Sequence, residues 1–304
     1  MTHGVSEGGM TSRYTVRGKE IPFRNPNFTG RIAEIDTLRR GLASDSAAVI
    51  DQPPQALFGL GGVGKTEIAA EYAHRYRGDY DLIWWIRAEQ ESAVVNGLVA
   101  LGRQLRLRGF RADERDFSAG LVIEALEKGE PYRDWLLIFD NARDAEMISE
   151  YIPRGPGHVI ITSRDSHWRR VLGVSGIAVG EFSPDETVEF LSKRVPALKD
   201  DPAGAAALAA ELGHLPLAAE HAAAYMNETG TSAAAYLAKL RENAHELLAQ
   251  EVDITYPLAV AATWGVSRDA ISPEADALFQ LMAFFAPEPI AEELLAQPAQ
   301  SGGL

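Results

Sequence analysis

The sequence predicts an α/β fold in which a parallel sheet, covered on both faces, is followed by a small helical bundle. Three observations predict it. Short, continuously apolar runs at residues 56–58, 82–86 and 135–139, and a fourth run at 158–162 with an apolar centre, alternate with amphipathic stretches, as expected of strands buried on both faces and joined by helices. A glycine-rich turn from Gly59 to Thr66 connects the first run to a helical stretch. After Phe182 the composition becomes Ala- and Leu-rich, and the strand pattern stops.

Residues 1–27 have neither helical nor strand periodicity and contain Gly4, Gly8, Gly9, Gly18, Pro22 and Pro26, which predicts a flexible arm running into an extended segment at 21–28. Ile32, Ile35, Leu38 and Leu42 then recur at helical spacing. Pro53-Pro54 ends that element. Residues 56–58 read as a short buried strand, and Ile68, Ala69, Tyr72, Ala73 and Tyr76 as the inner face of the next helix. The second strand is 82–86, helices follow over 91–107 and 118–128, and strands over 135–139, 158–162 and, short, 177–179. Four helices are expected near 184–194, 203–212, 216–228 and 232–249, punctuated by Pro202, Gly213, Pro216 and Gly230. A last helical part starts near Pro257. Trp84, Trp85, Phe284 and Phe285 lie in apolar runs and are expected in a core. The expected domains are an arm (1–27), the sheet domain (28–182), a helical domain (183–254) and the beginning of a further domain (255–304). The ending at Ser301-Gly302-Gly303-Leu304, after a helix-like stretch with no closing element, leads us to expect a piece of a longer protein.

Composition removes several chemistries. The chain has 29 Lys and Arg against 43 Asp and Glu, a net charge of −14, which repels nucleic-acid backbones and anionic membranes. The basic cluster Arg103, Arg106, Arg108 and Arg111 reads as a solvated helix end. Without cysteine there is no disulfide, thiolate zinc site or cysteine nucleophile, which fits the cytoplasm. No run reaches the ~18 apolar residues of a membrane span. The histidines are scattered, and His214 and His221 have the wrong spacing for two ligands on one helix face.

Chemistry concentrates at Gly59-Leu60-Gly61-Gly62-Val63-Gly64-Lys65-Thr66, a complete G-x-x-x-x-G-K-[ST] between a strand and a helix. Such a loop turns backbone N–H groups, here those of Gly59, Gly61, Gly62, Val63, Gly64 and on to Glu67, toward phosphate oxygens. Lys65 brings a compact positive charge, Thr66 offers magnesium a hydroxyl, and the helix dipole favours the anion. The loop therefore predicts ATP or ADP with Mg2+. The apolar run 136–139 ends in Asp140, suited as the second magnesium anchor. Asn141 follows where many such ATPases carry an acid; an amide orients water without accepting its proton, which predicts slow hydrolysis or none. Arg164, at the end of the 158–162 strand, faces the ligand crevice and is expected to sense a γ-phosphate.

Taken together the motifs resemble the NB-ARC branch of the STAND nucleotide-switch ATPases. The resemblance covers about residues 25–290 and is carried by Asn25-Pro26-Asn27-Phe28-Thr29-Gly30-Arg31, the P-loop, the 82–86 strand, the run ending in Asp140, Thr162-Ser163-Arg164, and Gly213-His214-Leu215-Pro216-Leu217 inside the helical region. It implies a sheet order 5-1-4-3-2 and Phe28 and Arg31 along the adenine. Pro216 would pack on the base with help from Leu217, and a winged-helix domain would begin at 255–304. It further implies an ADP-held closed state, homo-oligomerisation with ATP, and sensor repeats (tetratricopeptide-type) and an effector domain elsewhere in the protein. The family's closing histidine motif is not found before Leu304. The sequence leaves open a weak ATPase, a non-enzymatic scaffold stabilised by nucleotide, and a DNA-binding regulator using the winged helix; of these, only the switch has a use for Arg164 as a sensor.

Overall fold

The structure, a computed structural model, describes residues 16–18, 20–42, 53–111, 113–143, 145–168, 175–249 and 258–284. The chain divides into two compact units, residues 1–233 and 234–304.

The first unit holds an all-parallel sheet of β1 (Val16–Arg17), β2 (Gln55–Phe58), β3 (Leu82–Arg87), β4 (Trp135–Ala142), β5 (His158–Ser163) and β6 (Ser175–Ala178), in the order β1-β3-β4-β5-β2-β6. The five strands legible in the sequence stand as 5-1-4-3-2, and β1 adds an edge. Within the arm expected to be flexible over 1–27, residues 16–18 are instead paired to the sheet: Val16 N–H donates to Asp81 O (2.8 Å) and Gly18 N–H to Ile83 O (3.1 Å); residues 1–15 lie outside the described residues. Backbone groups carry that pairing, and two residues have no period to reveal it.

Leu136, Leu137, Ile138 and Phe139 are all buried. Neighbours along a strand face opposite sides, so β4 is covered on both. The helices of this unit are α1 (Ile32–Leu42), α2 (Lys65–Arg75), α3 (Glu91–Leu105), α4 (Arg115–Lys128), α5 (Ala145–Ser149), α6 (Pro184–Arg194), α7 (Pro202–Glu211) and α8 (Pro216–Thr229). Two indoles tie sheet to helices: Trp84 Nε1 donates to Gly97 O (3.0 Å) and Trp135 Nε1 to Leu126 O (2.9 Å), so large apolar surface is buried with its one donor satisfied. Proline opens α6, α7 and α8, where its missing N–H costs nothing.

The second unit contains all but the first residue of α9 (Ala233–Ala249), with α10 (Leu258–Arg268) and α11 (Pro273–Met282). Asn243 Nδ2 donates to Asp269 Oδ2 (3.0 Å), linking α9 to the end of α10. Phe284, expected in a core, is 89% exposed: an apolar run records a tendency to be buried, not what covers it. Phe285 lies outside the described residues.

A polar chain runs inside the first unit. Tyr72 and Tyr80 hydroxyls pair (3.1 Å), and Tyr80 OH pairs with His158 Nδ1 (2.8 Å). Burial, then the Arg39 charge, push His158 down from 6.5 to about 4. The unfolded chain therefore binds more protons between these values, and stability falls as pH drops through that window. The loss should be of order 2 kcal/mol after discounting partial exposure. Urea melts from pH 7 to 4 should show it, and His158→Gln, whose amide can still pair with the Tyr80 hydroxyl, should flatten the slope; an unchanged slope would remove His158 as its source.

Candidate functional site

The C-terminal ends of β2, β4 and β5 open on a cavity of about 600 Å³, where an open parallel sheet offers its ligand crevice. The loop after β2 forms its floor. Gly64 caps α2 with left-handed backbone (φ 94°) and no side-chain hydrogen bond, which leaves the leading N–H groups of α2 and its dipole available to an anion. Lys65 is buried (8% exposed) and its Nζ donates to Gly59 O (2.9 Å) and Leu60 O (2.7 Å). Burial and the Arg164 charge, against Asp140, bring its ammonium down to about 8.

Asp140 Oδ1 accepts from Thr66 Oγ1 (2.8 Å) and Thr162 Oγ1 (2.6 Å), so the ends of α2, β4 and β5 converge on one carboxylate oxygen. A hydroxyl beside a carboxylate is a hard-oxygen pair that fits magnesium together with phosphate oxygens. At Asn141 the β4–β5 register slips and φ is 59°, a conformation asparagine tolerates. Its N–H donates to Thr162 Oγ1 (2.8 Å), and its Nδ2 to Glu89 Oε1 (3.1 Å) just beyond β3. The Arg164 guanidinium lies over Gly61, whose Cβ, if present, would stand 3.4 Å from Nη2.

The segment before α1 forms another wall. Arg24 is fastened to Glu71 by two 2.9 Å hydrogen bonds, and Asn25 Nδ2 donates to Glu67 Oε2 (2.9 Å), which lays residues 24–29 along α2. Phe28 lines the cavity half-buried. Arg31 is held from several sides. Its Nη2 donates to Val63 O (3.0 Å) and Gly180 O (2.7 Å), its Nη1 to Glu34 Oε1 (3.0 Å) and Glu181 O (3.3 Å), and it lies 4.8 Å over the Phe182 ring. Its backbone N–H donates to Glu186 Oε1 (2.9 Å). Glu186 also closes the capping box of α6 with Ser183. Burial pushes this carboxyl up, but the N–H groups of Ser183 and Arg31 and the Arg31 charge outweigh it and hold it low. Gly30 is required here, since a Cβ would sit 1.9 Å from Glu186 Oε1.

The turn at 213–217 closes the far side. Phe182 N–H donates to His214 O (2.9 Å), Thr187 Oγ1 pairs with His214 Nδ1 (3.1 Å), and Leu217 N–H donates to Gly62 O (3.1 Å). The phosphate-type loop is thereby tied directly to the start of α8. Every residue nominated from the sequence lines this cavity except Gly59, which lies behind the loop and offers Lys65 its carbonyl. Glu89, Phe182 and Glu186 were not nominated. Glu186 had a sequence signal in Ser183-x-x-Glu186 ahead of a helix; Glu89 had none.

Among the described residues no helix is long and apolar enough to cross a membrane. No protein-family model matches the chain. The regulatory protein AfsR of Streptomyces griseus is 30% identical over 278 residues, 86% of this chain and 27% of that protein. A nucleotide-binding leucine-rich repeat (NLR)-like protein of Hyaloscypha variabilis is 29% identical over 245 residues, 71% of this chain and 24% of that protein. The chain thus spans about a quarter of the length of these relatives. The crystal structure of a signal transduction ATPase with numerous domains (STAND) and a tetratricopeptide repeat sensor, from Pyrococcus horikoshii, matches with a TM-score of 0.52 at 18% identity, over 89% of this chain and 36% of that one. At that identity the likeness is one of fold.

Proposed function

We propose that the chain is an NB-ARC-type STAND P-loop ATPase domain and serves as the ATP/ADP switch of a larger regulatory protein, with slow hydrolysis resetting it; the likeness to the regulatory and NLR-like relatives supports this reading. The observation that carries this reading is a single cavity lined both by the P-loop and by Pro216 and Leu217 of the helical segment. A nucleotide held there touches both, so the presence of a γ-phosphate can change how they meet. Lys65 would exchange its loop carbonyls for the β- and γ-phosphates. Arg164, at the end of β5 beside Gly61, would respond to the γ-phosphate, and Phe28 and Pro216 would flank the base. Thr66 and Asp140 would hold Mg2+, which when bound offsets charge on the phosphates. ATP-dependent homo-oligomerisation, and control by repeats elsewhere in the protein, belong to the same proposal. A regulator as the parent protein is in keeping with the name of the Streptomyces relative.

Lys65 supplies the test. A polyphosphate favours the ammonium form, so affinity should fall about tenfold from pH 7 to pH 9, as the pH passes a pKa of about 8. The free chain should respond oppositely. Its folded value lies below 10.5, the unfolded state binds more protons between the two, and this group's contribution to stability rises with pH there. Lys65→Ala should weaken ATP binding roughly 10–100-fold and abolish the affinity change. Titration of ATP and ADP into nucleotide-stripped protein reads both; a chain that binds neither nucleotide would sink the switch reading.

A further inference from the structure

We propose that Glu89 is the proton acceptor for ATP hydrolysis, held in place by Asn141; the inference rests on the nucleotide-switch reading above. The position after Asp140 carries an amide, which has no proton-accepting capacity, yet a carboxylate stands one hydrogen bond away: Asn141 Nδ2 donates to Glu89 Oε1 at 3.1 Å. Strand register produces this meeting. Arg87, the last residue of β3, pairs with Asp140 of β4, so the residues just past the end of β3 run beside Asn141, near the end of β4. Both Glu89 and Asn141 line the cavity that Lys65, Thr66 and Arg164 also line. The Glu89 side chain is exposed, so a proton taken from water can leave to solvent. Asn141 has a defined part as well: its left-handed backbone and the Asn141 N–H to Thr162 Oγ1 bond fix where its amide donates, and that amide orients the carboxylate.

In the reaction the Glu89 carboxylate accepts one proton of a water molecule as the water oxygen bonds to the γ-phosphorus. The bond from that phosphorus to the β–γ bridging oxygen breaks, its electron pair staying with the leaving ADP. Products are ADP and inorganic phosphate, and Glu89 returns its proton to solvent. Such a group contributes about 100-fold or more to the rate. Without it the chain would remain in its ATP form.

The experiment is single-turnover hydrolysis of γ-labelled ATP with Mg2+ on the full chain, with ATP and ADP affinities titrated in parallel. Glu89→Gln keeps an oxygen to accept from Asn141 Nδ2 and removes only the basicity. It should slow hydrolysis at least about 100-fold with both affinities within a few-fold of the parent chain. Asn141→Ala, which leaves the carboxylate unoriented, should slow it by a smaller factor, about tenfold. A Glu89→Gln chain hydrolysing at the parent rate overturns the assignment and leaves the switch reading standing. A parent chain that binds ATP and does not cleave it also overturns it. A parent chain that binds no nucleotide overturns the switch reading and Glu89 with it.

Discussion

Arg31→Ala is expected to destabilise the 1–233 unit by about 3–5 kcal/mol in the absence of any ligand, the cost of breaking a buried charged network by removing one partner. The Arg31 side chain is 5% exposed. Its removal leaves Val63 O and Gly180 O, which it bonds at 3.0 and 2.7 Å, without this donor, and an unmade bond to a buried group costs more than a made one contributes. These two carbonyls belong to the loop after β2 and to the chain past β6, so the guanidinium clamps two neighbouring crossovers of the sheet. For a unit of this size the loss corresponds to a Tm drop of roughly 10 °C. Arg31→Lys should recover less than half, because one ammonium cannot reproduce a planar fork bonding on several sides. Thermal melts of the ligand-free chain decide the matter. If Arg31 served chiefly to contact a base, the alanine variant would lose nucleotide affinity and melt where the parent does.

The two roles of Arg31 show where sequence reasoning reaches its limit. The buried strands were readable because residues 82–86 and 135–139 are apolar without interruption, and only a doubly covered sheet accommodates that. The phosphate-type loop was readable because each of its positions answers a chemical need close by in the chain. Arg31 was nominated, but three of its four acceptor residues contribute backbone carbonyls, and a carbonyl has no sequence signature. Glu89 was invisible for a related reason: its neighbour Asn141 is 52 residues away, and only the register of β3 against β4 brings them together. The β1 edge strand escaped notice because two residues give no period. Local chemistry was legible, whereas partnerships set by register and crossover were not.

The other large effect concerns two glycines a single residue apart. Gly62 has φ +81°, and a Cβ there would stand 3.0 Å from Leu217 Cβ, while Leu217 N–H donates to Gly62 O at 3.1 Å. Gly62→Val therefore forces a β-branched residue into left-handed backbone, a strain of about 1–3 kcal/mol. It also drives a side chain into the first turn of α8. The loop can relieve either strain only by leaving the conformation that points its N–H groups into the cavity, so nucleotide affinity should fall at least about 100-fold, the equivalent of some 3 kcal/mol. Gly61→Ala is the discriminating comparison. Its Cβ would meet Arg164 Nη2 at 3.4 Å, an ordinary contact with the end of a flexible side chain, and its loss should be several-fold at most. Parallel titrations of the two variants with ATP and ADP measure the difference. Equal losses would mean that the loop tolerates no side chain anywhere and that the contact with Leu217 is incidental. A large loss confined to Gly62 would mean that the phosphate loop and α8 are fitted to each other, which is the coupling a nucleotide switch needs if the helical segment is to register what the loop holds.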